Sequence, residues 1–373
     1  MLRIEHQDPK VRPRISIVAD QDNWAFANIG RQVQRSLRDD FEIDLLYRSD
    51  FPDELALLLA LEGYELVHFM WRRAFMHLLD GHVEKQGRAI GHSTRQSILD
   101  LLLNTSITTA IYDHLFLSEE ERHVWKDTFH HCDAYYVCSK KLEDIYNNIT
   151  GYPAPAAVLQ DGVDLSLFRP SDLERFYSVV TRPLNIGWAG NSLWNSHSGR
   201  DPKGLHTLLR PALGILNSRG IDTFEVFADR AVQFRPLAEM PSYYKQVDIY
   251  VCVSEAEGTP NPILEAMACG LPIVTTDVGI AREAFGSLQS QFILPERSVD
   301  ALVDAIARLR AEPALMSELS MENMHSIKQW DWTSRAQAFA PFFAAAIAAK
   351  ADPSTRRQKF IGLNSPLYAE PSQ

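Results

Sequence analysis

Two carboxylates eight positions apart are the first residues of this sequence with the right type and spacing for chemistry. Glu257 follows an apolar run typical of a strand, and Glu265 lies about one turn inside a short apolar helix that Pro262 opens and Gly270 closes. A carboxylate can accept two hydrogen bonds from vicinal hydroxyls, which is how proteins usually bind a ribose. By spacing alone, Glu257 could equally be a partner of the helix dipole and Glu265 an ordinary solvated helix residue.

The loop between these carboxylates has features of an anion site. The backbone N–H groups of Gly258, Thr259 and Asn261 would be exposed at a helix N-terminus, where aligned donors and the helix dipole favour negative charge. In open parallel sheets, ligands bind at the carboxyl ends of the strands, and this loop follows such a strand. The segment therefore predicts a site for hydroxyl groups and an anion.

The elements that would position this site alternate along the chain. Strand-like runs such as RISIVAD, FEIDLLY and SITTAIYDH are separated by helical segments, and the alternation restarts at LNIGWAG after the turn-rich stretch YPAPAAVLQDGVDLSLFRPSD. Strands that are apolar throughout and separated by helices indicate parallel sheets covered on both faces. The predicted fold class is α/β, with two Rossmann-like, doubly wound domains.

A chain of 373 residues is too long for one ordinary core, so two domains are expected. We predict an N-terminal domain over 1–172, a C-terminal domain over 173–345, and a tail over 346–373 that could cross back to the N-terminal domain. The preceding amphipathic segment WTSRAQAFAPFFAAAIAAK is compatible with a core helix, a dimer interface or an interdomain strap. The pattern does not choose among these, and it leaves the oligomeric state open.

Composition excludes some classes of function. A net charge of −11 argues against a nucleic-acid groove, which needs clustered Lys and Arg. The sequence shows neither a signal-peptide pattern nor an apolar run of membrane-spanning length. The four cysteines form no CxxC pair and indicate a reduced compartment, so we expect a cytoplasmic protein. Arg31, Arg35 and Arg38 would share one helical face, which is more often a solvated surface than a membrane contact.

The segment EGTPNPILEAMACGLPIV closely resembles the Glu-x7-Glu segment of retaining GT-B glycosyltransferases of family 4. The phrase LQDGVDLSLFRP is similar to that family's NGVD phrase near the linker, with Asp161 in place of the usual Asn. VGIAREAFG resembles a turn of the same family that carries an acidic residue, and Glu283 occupies that position here. DPKG resembles the family's Lys-Gly pair, with Lys203 as its lysine. Four such phrases in the family's order make the resemblance specific.

This resemblance implies a GT-B fold, in which two domains face each other across a cleft. It also implies transfer of a sugar from a nucleotide diphosphate sugar to a glycan, lipid-linked or small-molecule acceptor, with retention and without a metal or other cofactor. By the same resemblance, Lys203 neutralises the leaving diphosphate, Glu257 binds the donor sugar and Glu265 binds the ribose. His68, at the end of the strand ELVHFM, is expected near the transferred sugar; a core histidine is the alternative.

Two departures from the family pattern concern the donor and acceptor sites. The family usually has Arg where this chain has Asn191, and Asn supplies neither the charge nor the fork of a guanidinium. Arg200 could substitute, or it could be a loop surface residue. ADQDNWAFANIG replaces the family's glycine pair, so Asn23 and Trp24 are expected at a reshaped acceptor mouth. The DxD motif in the same stretch is interpreted as loop rather than as a metal site.

Other candidate contacts lie in two further loops. Asp113 and His114 follow the strand SITTAIYDH and are possible contacts to donor or acceptor. The family tends to recognise the base through backbone in the loop at 229–233, where Val232 is the expected contact. The base, the sugar and the acceptor stay open. The alternative functions are a catalytically impaired GT-B-like nucleotide-binding subunit and a GT-B epimerase or phosphorylase.

Overall fold

Two parallel β-sheets organise the chain in the computed structural model, which describes residues 12–350 except 80, 90, 92–93, 171–172, 195 and 197–198. The predicted α/β class with two doubly wound halves is confirmed. In each half, β-branched and aromatic strands are buried, and helices cover the sheet.

The first sheet has six parallel strands in the order β2-β1-β3-β4-β5-β6. Its strands are β1 Arg14–Ala19, β2 Glu42–Tyr47, β3 Leu66–Phe69, β4 Ser106–Ile111, β5 Ala134–Val137 and β6 Ala157–Val158. The helices between them are α1 Ala25–Ser36, α2 Glu54–Ala60, α3 Arg72–Leu79, α4 Gly81–Ala89, α5 Thr94–Asn104, α6 Glu119–His131 and α7 Lys140–Asn147.

The second sheet has four parallel strands in the order β10-β9-β7-β8. Its strands are β7 Leu184–Gly190, β8 Thr223–Asp229, β9 Ile249–Cys252 and β10 Ile273–Thr275. Its helices are α8 Arg210–Ser218, α9 Met240–Tyr244, α10 Asn261–Ala268, α11 Ala281–Ala284, α12 Val299–Ala311 and α13 Pro313–Ser326. Helix α10 begins after the EGTP loop, and Glu265 lies in its second turn, as the pattern predicts.

The chain crosses between the two halves twice, and the two crossings pair with each other. The Val163 N–H donates to the Trp330 carbonyl at 2.8 Å, and the Trp332 N–H donates to the Val163 carbonyl at 3.2 Å. A Cβ atom on Gly162 would lie 2.8 Å from the Trp330 carbonyl oxygen, so only glycine permits this approach. Phe168 is already buried in the core of the second half, which places the crossing before the predicted boundary at 172.

The last described helices, α14 Trp332–Arg335 and α15 Phe339–Ala348, pack on the first sheet. Phe339 and Phe343 are buried in the same cluster as Ile15 and Ile17 of β1. The amphipathic segment that the sequence left undecided is therefore an interdomain strap that completes the first core. In the part of the chain that the structure describes, no helix has the length and apolar character needed to span a membrane.

Two parts of the first half were not predicted. Strand β6 lies in the stretch interpreted as linker, because Pro153 and Pro155 mark it as turn-rich although Ala157 and Val158 pair with β5. Helices α3, α4 and α5 form an insertion between β3 and β4 to which the sequence reading assigned no elements. This insertion directly follows β3, so its first residues lie at the sheet edge where ligands bind.

Replacing Phe343 with alanine tests whether α15 belongs to the first core. Because the ring is fully buried against His68, Phe41 and Phe339, we expect Phe343→Ala to lower the free energy of unfolding by about 3–5 kcal/mol in urea denaturation. The neighbouring exposed substitution Ala344→Ser is the control and should change it by less than about 0.5 kcal/mol. Equal stabilities of the two variants would contradict this packing.

Candidate functional site

Lys203 and Glu257 form an ion pair at the carboxyl ends of the second sheet. Glu257 follows β9, Lys203 ends the loop after β7, and the Lys203 Nζ lies 2.5 Å from the Glu257 Oε1. Both side chains are only 18% exposed, so solvent screens the pair weakly. The two residues that the sequence assigned to the diphosphate and to the donor sugar thus lie together.

The turn after β7 supports this pair. The Asn191 side-chain oxygen accepts a hydrogen bond from the Leu193 N–H at 3.1 Å, which shapes the turn. The turn presents Trp194, whose ring centroid lies 5.0 Å from the Lys203 Nζ. Asn191 therefore has a local structural role in this turn, and its side chain brings no charge to the site.

Glu265 lies on the wall of a second feature, an interdomain cavity of about 260 Å³. The Tyr244 hydroxyl donates to its carboxylate at 2.7 Å, but burial dominates and raises the pKa of Glu265 to about 7. Lining residues come from both halves and from the crossings: Asn23, Asn28, Gln32, Gly162, Val163, Asp164, Gly190, Arg235 and Asn261. The cavity is lined by two carboxylates, several amides and one guanidinium.

Asp161 is a second buried acid beside this cavity. It occupies the position where the resemblance leads one to expect Asn, and its side chain has no exposure. Burial raises its pKa to about 7, although hydrogen bonds from Tyr112 and Asn261 act in the opposite direction. Tyr112 donates to its Oδ1 at 2.9 Å, and the Tyr112 and Tyr136 hydroxyls are also 2.9 Å apart. A chain of polar side chains thus connects the crossing to the first core.

The two halves touch at the EGTP loop. The His114 Nε2 lies 3.1 Å from the Glu257 carbonyl oxygen. A Cβ on Gly258 would lie 2.1 Å from the Tyr112 carbonyl oxygen, so this close contact between the halves requires glycine. The predicted possible contact His114 is therefore within reach of the Lys203–Glu257 pair. Burial lowers the pKa of His114, which favours its neutral form.

Asp113, the other predicted contact in this loop, is held by a buried arginine. The Arg72 Nη2 lies 2.8 Å from the Asp113 Oδ1 and 3.0 Å from the Leu115 carbonyl oxygen. The Arg72 guanidinium also lies 4.9 Å from the Phe116 ring centroid, and Phe116 adopts a left-handed φ of 61°. Arg72 thereby fixes the loop that carries His114.

Only some of the backbone N–H groups predicted to bind an anion in the EGTP loop are free to do so. The Asn261 N–H donates to the Thr259 carbonyl at 2.9 Å, so this predicted anion donor is already used; its side chain instead lines the Glu265 cavity. Among the described residues, no hydrogen bond engages the N–H of Gly258 or Thr259. The anion site predicted from three N–H groups therefore retains two of them.

The structure does not bring His68 to the cleft. Its ring is 1% exposed, stacks on Tyr136 at a centroid distance of 5.4 Å, and has its Nδ1 2.9 Å from the Thr108 Oγ1. Burial lowers its pKa to about 3, so the ring stays neutral. The structure favours the alternative of a core histidine over a catalytic role, because His68 lies within β3 and its ring packs against Phe343 of α15.

Two predicted donor contacts also lie elsewhere. Val232 is 84% exposed and does not line the Glu265 cavity; it lines a neighbouring cavity with Asp229 and Arg235, and its expected backbone contact with the base stays a prediction. The Arg200 Nη2 donates to both carboxylate oxygens of Glu255, at 2.9 and 3.0 Å, and the Arg200 side chain is 59% exposed. Arg200 thus lies at the loop surface, as its alternative interpretation predicts, and its role as a substitute for the arginine missing at 191 stays a prediction.

The ADQDNW stretch lies at the cleft from the first half. Asn23 has a left-handed φ of 61° and lines the Glu265 cavity. The Trp24 ring lies across from Arg230 of the second half, with 4.0 Å between the guanidinium carbon and the ring centroid. In the DxD motif, Asp22 pairs with Arg31. Among the described residues, no three His, Cys, Asp or Glu side chains are grouped as a metal site would require.

Comparison with known families places this site in a recognised domain. Residues 219–312, which contain Glu257 and Glu265, match the family described as glycosyl transferases group 1. The chain contains a glycosyl transferases group 1 domain. This group 1 domain spans β8, β9, β10 and the helices between them, whereas Lys203 lies just before it.

Similar proteins extend the comparison to both halves. A D-inositol 3-phosphate glycosyltransferase from Streptomyces bingchenggensis is 22% identical over 56% of this chain and 51% of its own length, so the chain spans about half of that relative. Sucrose-phosphate synthase from Thermosynechococcus elongatus has a TM-score of 0.66 at 16% identity, covering 91% of this chain and 100% of that one. HepE from Anabaena, solved with UDP and glucose, has a TM-score of 0.64 at 14% identity, covering 89% and 99%. The fold is therefore GT-B.

Three residues near the group 1 domain's ligand side were missed by sequence reasoning. Arg72 directly follows β3, so the rule that ligands gather at strand ends could have found it. Arg235 and Tyr244 had no such signal, because an arginine in a loop and a tyrosine on a short helix look like surface and core residues. Their contacts with the Glu265 cavity and with Glu265 itself depend on the folding of the loop after β8.

The two buried acids predict a pH dependence of stability. The pKa values of Glu265 and Asp161 rise from ordinary values of 4.5 and 3.8 to about 7, so the native state keeps protons that the unfolded chain has lost. We therefore expect the free energy of unfolding to fall as pH rises from about 4.5 to 7. In urea denaturation across this range, the free energy of unfolding of the Asp161→Asn/Glu265→Gln double variant should depend less on pH than that of the wild type. Glu318→Gln, an exposed position on α13, should keep the wild-type dependence. A double variant with the wild-type slope would contradict this assignment.

Proposed function

We propose that this protein is a retaining glycosyltransferase that moves a sugar from a nucleotide diphosphate sugar to a hydroxyl of an acceptor, without a metal ion, in glycan or polysaccharide biosynthesis. The observation that carries the proposal is the Lys203–Glu257 ion pair near the Glu265 cavity. Both lie at the interdomain side of the second half, whose residues 219–312 match the group 1 family. Retention and independence of metal follow from the resemblance to family 4.

The ion pair suits a leaving group that gains negative charge. Breaking the sugar–phosphate bond leaves charge on the diphosphate oxygens, and a fixed cation in a weakly solvated site stabilises that charge. Lys203 would move its ammonium from Glu257 to the phosphates, while Trp194 limits where the ammonium can lie. Glu257 is then free to accept hydrogen bonds from the donor sugar.

The Glu265 cavity suits the nucleoside. Its carboxylate can accept hydrogen bonds from both ribose hydroxyls, and Tyr244 holds the acid in one orientation. Burial raises the pKa of Glu265 to about 7, and hydrogen bonds from the ribose hydroxyls would stabilise its charged form. Donor binding is therefore expected to release a proton near neutral pH.

The similar proteins indicate which ligands should be tried first. HepE was solved with UDP and glucose, and the Streptomyces relative is described as acting on D-inositol 3-phosphate. A nucleotide sugar as donor and a hydroxylated small molecule or glycan as acceptor are consistent with both. The acceptor would approach from the first half, where Asn23, Asp113 and His114 lie at the cleft.

A thermal-shift panel tests the proposed donor class directly. One nucleotide diphosphate and its sugar conjugates should raise the melting temperature by several degrees, since a ligand that binds only the native state stabilises it by mass action. The panel includes UDP, GDP, ADP and dTDP with their sugars, each with EDTA present. Failure of every nucleotide to stabilise the protein would refute the proposal. Binding without transfer or slow donor hydrolysis would instead indicate a catalytically impaired subunit.

Glu265→Ala tests the ribose assignment. Hydrogen bonds to a charged acceptor contribute roughly 1.5–3 kcal/mol each, so we expect nucleotide affinity to fall by at least about tenfold in calorimetry. The exposed substitution Glu318→Ala on α13 is the control and should leave affinity unchanged. Wild-type affinity in the Glu265 variant would remove Glu265 from the donor site.

Lys203→Met tests the leaving-group assignment. Loss of the cation should lower kcat by about a hundredfold or more, the usual effect of removing one transition-state electrostatic contact, while the protein still folds by circular dichroism. Lys85→Met, an exposed position on α4, should keep the wild-type kcat. A wild-type kcat in Lys203→Met would exclude the role.

A further inference from the structure

Arg230 has an unusual position at the end of β8. Its N–H donates to the Gly190 carbonyl at 2.8 Å, so its backbone lies beside the turn that carries Asn191. Asp229 ties the two turns together, because its Oδ1 accepts from the Ser192 N–H at 3.1 Å and from the Ala231 N–H at 3.0 Å. Gly190 lines the Glu265 cavity, which places Arg230 next to the proposed donor site.

The Arg230 side chain crosses the cleft and is held by rings from both halves. Its guanidinium carbon lies 4.0 Å from the Trp24 ring centroid and 5.1 Å from the Phe234 ring centroid. Among the described residues, no hydrogen bond engages the guanidinium; the charged group that acts on it is Asp20 of the first half. The group is thus partly desolvated and has free donors.

The polar atoms around Arg230 are also incompletely satisfied. The Trp24 Nε1 and the Asp20 Oδ1 are buried without a hydrogen-bond partner in the described structure. An unpaired buried polar group costs about 1–3 kcal/mol, so such a cluster favours a ligand that supplies partners. The cluster is formed by both halves at the cleft, where a donor would enter.

The other cations near the second sheet edge are engaged or lie elsewhere. Lys203 pairs with Glu257, and Arg200 pairs with Glu255 at the surface. Arg235 lines the Glu265 cavity, with its guanidinium carbon 6.0 Å from the Tyr243 ring centroid, and so lies on the nucleoside side. Arg230, beside Gly190 of the cavity wall, is therefore the cation we select as the partner of a second anionic group.

We propose that Arg230 binds the diphosphate of the nucleotide donor and so supplies the guanidinium that position 191 lacks. The inference rests on the proposed function, because it deepens the donor site. A planar guanidinium can make two parallel hydrogen bonds to phosphate oxygens, which neither Asn191 nor a lysine can do. Trp24 and Phe234 hold the guanidinium at the cleft, and in the donor complex the phosphates replace Asp20 as its anionic neighbour.

The test compares nucleoside monophosphate and diphosphate binding by calorimetry in wild type, Arg230→Gln and Arg230→Lys. The probes are UMP with UDP, GMP with GDP, AMP with ADP and dTMP with dTDP. We expect Arg230→Gln to weaken diphosphate binding by about tenfold or more while monophosphate binding changes much less, so the preference for the diphosphate falls. Arg230→Lys keeps the charge without the fork and should restore part of the preference. Circular dichroism confirms that both variants fold.

Three further variants distinguish the possible outcomes. Arg219→Gln, at an exposed position after α8, is the matched control and should keep the wild-type preference. Arg235→Gln should weaken both nucleotides by a similar factor, because it lies on the nucleoside side. An unchanged preference in Arg230→Gln, or its loss in Arg200→Gln instead, would overturn the inference. If the wild type binds none of the UDP, GDP, ADP and dTDP pairs, the proposed function itself fails, and the inference fails with it.

Discussion

The pairing of the two chain crossings is the constraint on which the site depends. Val163 exchanges backbone hydrogen bonds with Trp330 and Trp332, and Gly162 lets the two segments approach closely. Because both crossings run side by side, the carboxyl ends of both sheets are held at the same gap. The Glu265 cavity lies directly against this crossing, since Gly162 and Val163 form part of its wall.

Charged side chains at the cleft form ion pairs, and a ligand could replace one partner of a pair. Lys203 neutralises Glu257, and Arg72 neutralises Asp113, so neither pair leaves an isolated buried charge. Asp161, without a cationic partner of this kind, is instead favoured in its protonated form by burial. A ligand that replaced Glu257 as the partner of Lys203 would leave the Glu257 carboxylate without its cation.

The sequence was informative where local pattern and tertiary role agree. Alternating strands and helices gave the fold class, and the Pro262 and Gly270 boundaries placed Glu265 correctly on α10. It was less informative where the role depends on long-range packing. His68 has the same strand-end pattern as a ligand residue, but α15, more than 270 positions later, covers it. The sequence also does not tell which way a loop turns after its strand, and the exposed Val232 and the Arg200–Glu255 ion pair depend on that direction.

The strap formed by α14 and α15 has a consequence for the order of biosynthesis. The first core contains side chains from residues 332–346, which leave the ribosome after every strand of both sheets. The nascent N-terminal half must therefore wait with part of its apolar surface uncovered, while the second half can already close its own core. Folding during translation would thus finish with the half that was made first.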